Sequence, residues 1–269
     1  VYYVIITGPA GSGKSTLTDS LASWLEDNQM SVTKVNFDPA AEVVPYVPDV
    51  DVRRYVNARD LMVEKGLGPN GALILSVDLL INHIEEIKEE IEETRSNYVL
   101  VDLPGQLEVI AFRRIGPILI KELVKGSKAV NIFLLDSRLS MQPSSAMASL
   151  LLSLSTLYRL ELPQVLAINK VDLVINGFSS TDIGEELSKK IYLLKMLDES
   201  FSCSDVGYSS MFIDSEISIK LCESIREIFN DIIPVSASTG YGIDSLYASI
   251  QRSLAGGEDY LTEEPSGML

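Results

Sequence analysis

Histidine is almost missing from this chain, which has one in 269 residues, and cysteine is scarce, with two. With no second histidine, His83, set among acidic residues in a helical pattern, is expected to form neither a metal centre nor an imidazole-based triad. Cys203 and Cys222 fit neither a metal-ligand spacing nor a disulfide framework, which points to a reducing compartment. Positive charge is short as well: 22 Lys and Arg against 38 Asp and Glu leave a formal net charge of −16. A surface of that sign repels nucleic acid and anionic membrane, so direct binding to either is not expected, and any affinity for phosphate has to be local. Long apolar runs are missing too. None nears the roughly 20 residues that span a bilayer, and no basic stretch precedes an apolar one at the start, so a soluble, cytoplasmic chain is expected.

What the chain does have is alternation. Residues 2–7, 32–37, 98–102, 130–136, 164–169 and 232–235 read as strands, with helical patterns between them. A run such as Val130-Asn131-Ile132-Phe133-Leu134-Leu135 is apolar on both faces and predicts burial on both sides. Right-handed crossovers then give an α/β fold of three layers, with a mostly parallel sheet flanked by helices. Ligands bind such sheets at the carboxyl ends of the strands.

One domain over 1–269 is expected, with two long excursions: 38–71, and a mainly helical insertion at 175–230 broken around Ser202 to Gly207. Residues 257–269 read as a flexible tail. Within 38–71, Pro39, Pro45 and Pro48 punctuate an extended stretch, a helix is predicted over 52–65, and Gly68-Pro69-Asn70-Gly71 reads as a turn. A further helix is predicted over 109–124.

Between the first strand and a helix predicted over 14–27 lies Gly8-Pro9-Ala10-Gly11-Ser12-Gly13-Lys14-Ser15, a full match to the phosphate-binding pattern G-x-x-x-x-G-K-[ST], so the three-layer α/β fold is expected to be of the P-loop NTPase type. Glycines let successive backbone N–H groups turn inward around a polyphosphate, Lys14 sets a charge between the outer phosphates, and the helix dipole adds to it. Gly11, Ser12, Gly13, Lys14, Ser15 and Thr16 are the expected phosphate-binding residues, with the Ser15 hydroxyl a ligand for Mg²⁺. Asn169-Lys170-Val171-Asp172 follows the fifth predicted strand. An Asp there accepts the N1–H and N2–H hydrogens of guanine, donors that adenine lacks at those positions, and a buried acceptor left unpaired penalises the wrong base. The Lys170 stem packs over the purine and Asn169 ties the base loop to the P-loop. Ser236 and Ala237, after the last strand, present a backbone N–H to the guanine carbonyl.

Asp102-Leu103-Pro104-Gly105-Gln106 closes the third strand. Asp102 is placed to hold Mg²⁺ through water, Gly105 to offer its N–H to the γ-phosphate, and Gln106 to orient the attacking water. Asp38 adds a carboxylate for the metal-water shell or the nucleophile, or else caps the turn that follows.

In chain order these are the five motifs of a GTPase. With Asp38-Pro39-Ala40-Ala41-Glu42, Pro45-Tyr46-Val47-Pro48, Asp51-Val52-Arg53 and Gly68-Pro69-Asn70-Gly71 among them, the sequence resembles the GPN-loop GTPase family over almost its whole length, in the single-member, archaeal-type form. The resemblance implies a SIMIBI-class homodimer that binds GTP or GDP with Mg²⁺, in which the Gly68-Pro69-Asn70 loop of each subunit completes the other's site. It also implies a nucleotide-dependent switch or assembly factor, with a protein client of the RNA polymerase machinery kind. Pro9 stands where the MinD and ParA branch of that class carries its signature lysine, so that branch fits poorly.

The expected reaction is GTP hydrolysis, with Lys14, Asp38, Gln106 and, in trans, Asn70 as catalytic residues and Ser15, Asp38 and Asp102 around the metal. Positioning and electrostatics carry it rather than a strong base. Arg113 and Arg114 are either arginine fingers or anchors of a helix or dimer face. Two other classes stay open: a polynucleotide-type P-loop kinase, which uses ATP and has no need of Asn169 to Asp172, and a nucleotide-gated scaffold with little turnover.

Overall fold

The computed structural model of the chain describes residues 1–175, 183–197, 202–205, 215–229 and 231–255. Among these, seven strands, β1 (Tyr2–Thr7), β2 (Val32–Asn36), β3 (Val50–Asp51), β4 (Tyr98–Asp102), β5 (Lys128–Asp136), β6 (Gln164–Asn169) and β7 (Ile232–Pro234), join in one sheet. Their order is β3-β2-β4-β1-β5-β6-β7 and every neighbouring pair is parallel. The helices are α1 (Lys14–Asp27), α2 (Ala58–Lys65), α3 (Pro69–Leu80), α4 (Ile84–Glu93), α5 (Ile115–Leu123), α6 (Pro143–Leu160), α7 (Ile183–Lys190), α8 (Tyr192–Leu197), α9 (Ser215–Ile228) and α10 (Ile243–Ala255).

β1 shows why the sheet needs two coats. From Tyr3 onward every one of its residues is buried, and the side chains alternate between faces. Tyr3 and Ile5 enter a cluster with Leu73 and Val77 of α3, Ile87 of α4 and Leu119 of α5, while Val4 and Ile6 join Leu17 and Leu21 of α1 and Leu246 of α10. Full burial of each such side chain stabilises by about 1.5–3 kcal/mol over exposure. A third cluster packs Phe133 and Leu135 of β5 against Leu150 of α6, Leu187 of α7, Met196 of α8 and Ile225 of α9. In α4, Ile84, Ile87 and Ile91 turn inward at helical spacing and the glutamates form the outer face. Among the described residues no helix is long and apolar enough to cross a membrane.

Several expectations are corrected. β3 is an unforeseen edge strand of two residues, and the helix predicted over 52–65 is a 3₁₀ turn at Val52–Arg54 followed by α2, which Asn57 caps by accepting from the Arg59 N–H. Gly68 to Gly71 is not a turn: Gly68 is the N-cap and Pro69 the first residue of α3. Proline suits both positions, because its missing N–H is unneeded in the first helical turn.

The helix predicted over 109–124 is split. A π-helical turn at Glu108–Phe112 stops at Arg113, whose backbone is extended, and α5 starts at Ile115. The chain folds back here so tightly that a Cβ on Gly116 would sit 2.0 Å from the Ile110 carbonyl oxygen. Arg159 of α6 satisfies the broken end, donating Nε–H to Ala111 O at 2.8 Å and Nη2–H to Arg113 O at 3.2 Å.

Cys203 and Cys222 are joined in a disulfide, with Cα atoms 5.8 Å apart. That corrects the reading of the two as an unpaired couple and removes the argument for a reducing compartment. A 3₁₀ turn at Cys203–Asp205 is thereby pinned to α9, inside the stretch predicted as a helical insertion. Residues 206–207, part of the break expected there, and the predicted tail lie outside the described residues.

Candidate functional site

β1 runs into a loop whose glycines take backbone angles that other residues avoid: φ is +147° at Gly8, +75° at Gly11 and +96° at Gly13. Space makes the same demand. A Cβ at Gly13 would lie 2.4 Å from Asn169 Nδ2, and one at Gly8 2.5 Å from the Leu134 carbonyl oxygen. Lys14, the first residue of α1, is buried, and its Nζ donates to Gly8 O at 3.2 Å and Pro9 O at 3.3 Å. Ser15 and Thr16 complete the first turn. The Ser12 hydroxyl is buried in this cradle with no hydrogen-bond partner.

On the opposite side of the loop stands the base corner. Asn169 ends β6 and bridges two motifs, donating Nδ2–H to Ser12 O at 2.9 Å and accepting the Ala237 N–H on Oδ1 at 3.0 Å. Lys170 adopts φ +65°, which turns the chain after the strand, and its Nζ donates to Gly11 O and to Asp136 Oδ2 at 2.8 Å. Asp172 accepts from the Ser236 hydroxyl at 2.6 Å. The Ala237 N–H, expected to face a guanine carbonyl, is instead held by Asn169 here.

The third corner is acidic. Asp102, at the end of β4, is 2% exposed; its Oδ2 accepts from the Tyr46 hydroxyl at 3.0 Å, while Oδ1 is buried without a hydrogen bond of ordinary geometry. Burial pushes the Asp102 carboxyl above the usual range, against the pull of Ser15, Tyr46 and Lys14. Asp38 is raised in the same way, chiefly by burial, although the Ala40 N–H donates to it at 2.9 Å and Lys14 and Arg53 favour its charge. Burial lowers Lys14, opposed by Asp102 and Asp38. Gly105 lies against the P-loop, where a Cβ would be 3.1 Å from Ala10 Cα and 3.5 Å from Lys14 Nζ.

These groups fit a metal-bound polyphosphate. Asp102 Oδ1 is buried without a hydrogen bond of ordinary geometry, Asp38 stands half-buried near it, and the close approach of Leu134 and Asn169 allows only glycine at 8 and 13, where the backbone N–H groups turn around the loop. Ser15, Asp38 and Asp102 form an all-oxygen set of the kind that suits Mg²⁺.

P-loop, Asp38, Asp102, Gly105, Asn169 to Asp172 and Ser236-Ala237 are thus gathered at one edge of the sheet. Gln106 and Asn70 are not drawn in: both are exposed, and among the described residues neither hydrogen-bonds to the P-loop. Gly68, Pro69 and Asn70 form the open N-terminus of α3. Arg113 anchors that helix, its guanidinium 2.9 Å from Asp78 of α3. Arg114 is exposed.

Three contributors were missed. Asp136 pins Lys170; burial works against its charge, yet Lys170 and Arg138 hold its carboxyl below the usual range. It ends an apolar strand, and that signal was available. Arg53 chelates Asp51 and donates to the Ala41 and Glu42 carbonyls, fixing the segment after Asp38. Tyr46 reaches Asp102 from 56 residues away, a contact with no local signature.

A family model described as "Conserved hypothetical ATP binding protein" matches residues 6–256. GPN-loop GTPase 1 of Dictyostelium discoideum is 28% identical over 251 residues, 92% of this chain and 60% of that protein. GPN-loop GTPase 3 of the same organism is 29% identical over 264 residues, 97% of this chain and 90% of that one. The chain therefore spans 60% of the length of the first relative and nearly all of the second. A crystal structure of a GTPase in apo form from Pyrococcus abyssi matches with a TM-score of 0.77 and 28% identity, covering 97% of this chain and 98% of that one. The family description names ATP, whereas these relatives are named for GTP.

Proposed function

The chain belongs to the GPN-loop GTPase family, and from that premise we propose that it binds GTP and GDP with Mg²⁺ and hydrolyses GTP as a homodimer. The observation that carries this is Asn169, whose one side chain fastens the base loop to both Ser12 and Ala237. It makes the base corner and the phosphate cradle a single rigid unit, so an Asp172 that recognises guanine also sets where the phosphates lie. A kinase using ATP has no need of Asp172 at that place, since adenine offers it no matching donors.

Ser15, Asp38 and Asp102 are the residues that would hold Mg²⁺, which when bound neutralises charge on the outer phosphates. The chain's own part is positional. Lys14 and the P-loop amides meet the charge that develops on the transferred phosphoryl group, Gly105 contributes its N–H, and Gln106 and Asp38 order the attacking water. Asn70 of the partner completes the water's surroundings. Support for the dimer comes from Val43, which is 87% exposed and lines a cleft of about 780 Å³ shared with Met62 and with Pro69, the residue before Asn70. Apolar surface of this kind, beside Asn70, suits a second copy of the chain. The dimer would act as a nucleotide-dependent switch for a protein client, of the RNA polymerase machinery kind by family analogy.

A hydrolysis series over protein concentration, run in parallel with GTP and ATP, tests base choice and assembly together. GTP is expected to be preferred in kcat/KM by about 100-fold or more, with specific activity falling on dilution. Equal turnover of ATP overturns the guanine reading, and activity per subunit that stays flat in a verified monomer overturns the trans reading. Asn70→Ala is expected to leave GDP affinity intact and to cut GTP turnover by about 100-fold, the usual cost of one transition-state contact. Wild-type turnover in that variant excludes the role.

A further inference from the structure

Tyr46 lies in the stretch from Asp38 to Asp49, which has no helix or strand, between the exposed Glu42, Val43 and Pro45 on one side and the exposed Val47 on the other. Yet Tyr46 itself is only 6% exposed. Packing alone does not account for this inward turn, since its hydroxyl ends on a charged atom, Asp102 Oδ2, at 3.0 Å. A carboxylate has two oxygens, and this one has been divided: Oδ2 is capped by Tyr46, while Oδ1 is buried without a hydrogen bond of ordinary geometry, with the Ser15 hydroxyl, itself assigned to the metal, acting on the same carboxylate. Lys14 and Ser15 are the groups around it that favour the ionised form.

We propose that Tyr46 is a positioning residue for the metal side of the site: its hydroxyl locks the Asp102 carboxylate so that Oδ1 alone is offered to the cation, and the same bond moors the 38–49 segment to β4. The inference rests on the nucleotide and Mg²⁺ reading above and adds to it the residue that sets the geometry of Asp102. Second-layer donors of this type orient a ligand through a hydrogen bond and touch neither metal nor phosphate. Asp38 begins the segment that Tyr46 moors, so one phenol links the two carboxylates assigned to the metal.

The experiment uses the whole chain and times release of a fluorescent N-methylanthraniloyl-GDP at graded Mg²⁺ and in EDTA. Tyr46→Phe keeps the ring and removes only the oxygen. The Mg²⁺ concentration that half-maximally slows release is expected to rise about 10-fold or more, the usual cost of losing a second-layer partner, while release in EDTA stays at the wild-type rate. An unchanged Mg²⁺ midpoint overturns the proposal, and so does faster release of equal size with and without Mg²⁺, which marks general loosening. Adding Tyr46→Phe to Asp102→Asn is expected to shift the midpoint no further; additive shifts show that the two do not act through each other and overturn it as well. If wild-type release ignores Mg²⁺ altogether, the site reading itself fails, an outcome distinct from a Mg²⁺-sensitive wild type with an indifferent Tyr46→Phe.

Discussion

Lys14→Ala is expected to abolish measurable nucleotide binding. The ammonium is the one cation among the groups that set the charge of the acidic corner from within the P-loop, 7% exposed, with Asp102 and Asp38 as its charged neighbours. Removing it subtracts a charge-assisted contact to the phosphates and leaves two buried carboxylates facing an incoming polyanion. Together these amount to about 3–5 kcal/mol, on the order of 100- to 1,000-fold or more in affinity. Calorimetric titration with GDP and a non-hydrolysable GTP analogue measures it, and a loss under about threefold would falsify the placement of the phosphates over Lys14. Lys14→Arg is not a rescue: the buried Nζ is seated as a point donor on the Gly8 and Pro9 carbonyl oxygens, at 3.2 and 3.3 Å, and a planar fork needs more room than a point charge.

Asp172→Asn should exchange one base for another. Guanine presents two hydrogens to the carboxylate, whereas xanthine carries a carbonyl where guanine has its amino group. The variant replaces an acceptor with an amide that also donates, so GDP affinity is expected to fall by about 100-fold or more while xanthosine diphosphate gains. The fold has little reason to change, because the remaining amide oxygen can still accept the Ser236 hydroxyl that now sits 2.6 Å away. Competition among GDP, ADP and xanthosine diphosphate for the fluorescent nucleotide reads all three. A variant that keeps the wild-type ranking removes Asp172 from base recognition, and a wild type that binds ADP as well as GDP favours the family description that names ATP.

Much of this was legible in the sequence because the fold writes its motifs at strand ends. The runs behind β1, β4, β5 and β6 are buried on both faces, so their apolar character showed through and the turns after them could be read as the site. β3 escaped because a pair such as Val50-Asp51 has no period to detect. Gly68-Pro69-Asn70 misled because proline at the second position of a turn and proline at the start of a helix look alike until Ala72, Leu73, Ser76 and Val77 are seen to be buried together. Contacts that cross the sequence left no trace. Asp51 to Arg53 was quoted only for its family resemblance, the pairing of Cys203 with Cys222 depends on where a 3₁₀ turn lands, and Tyr46 acquires meaning only beside Asp102.

β1 occupies the middle of the sheet, with three strands to either side, and its ladder to β4 and β5 is complete from Tyr2 to Ile6. Opening that ladder means taking the molecule apart, whereas the first turn of α3 is exposed and can loosen while the rest of the structure stands. Ageing or warming would therefore not degrade the two halves of the reaction evenly. If Asn70 serves a second copy as proposed, the cradle outlasts that reach, and a worn sample is expected to go on holding its nucleotide long after it has stopped consuming it.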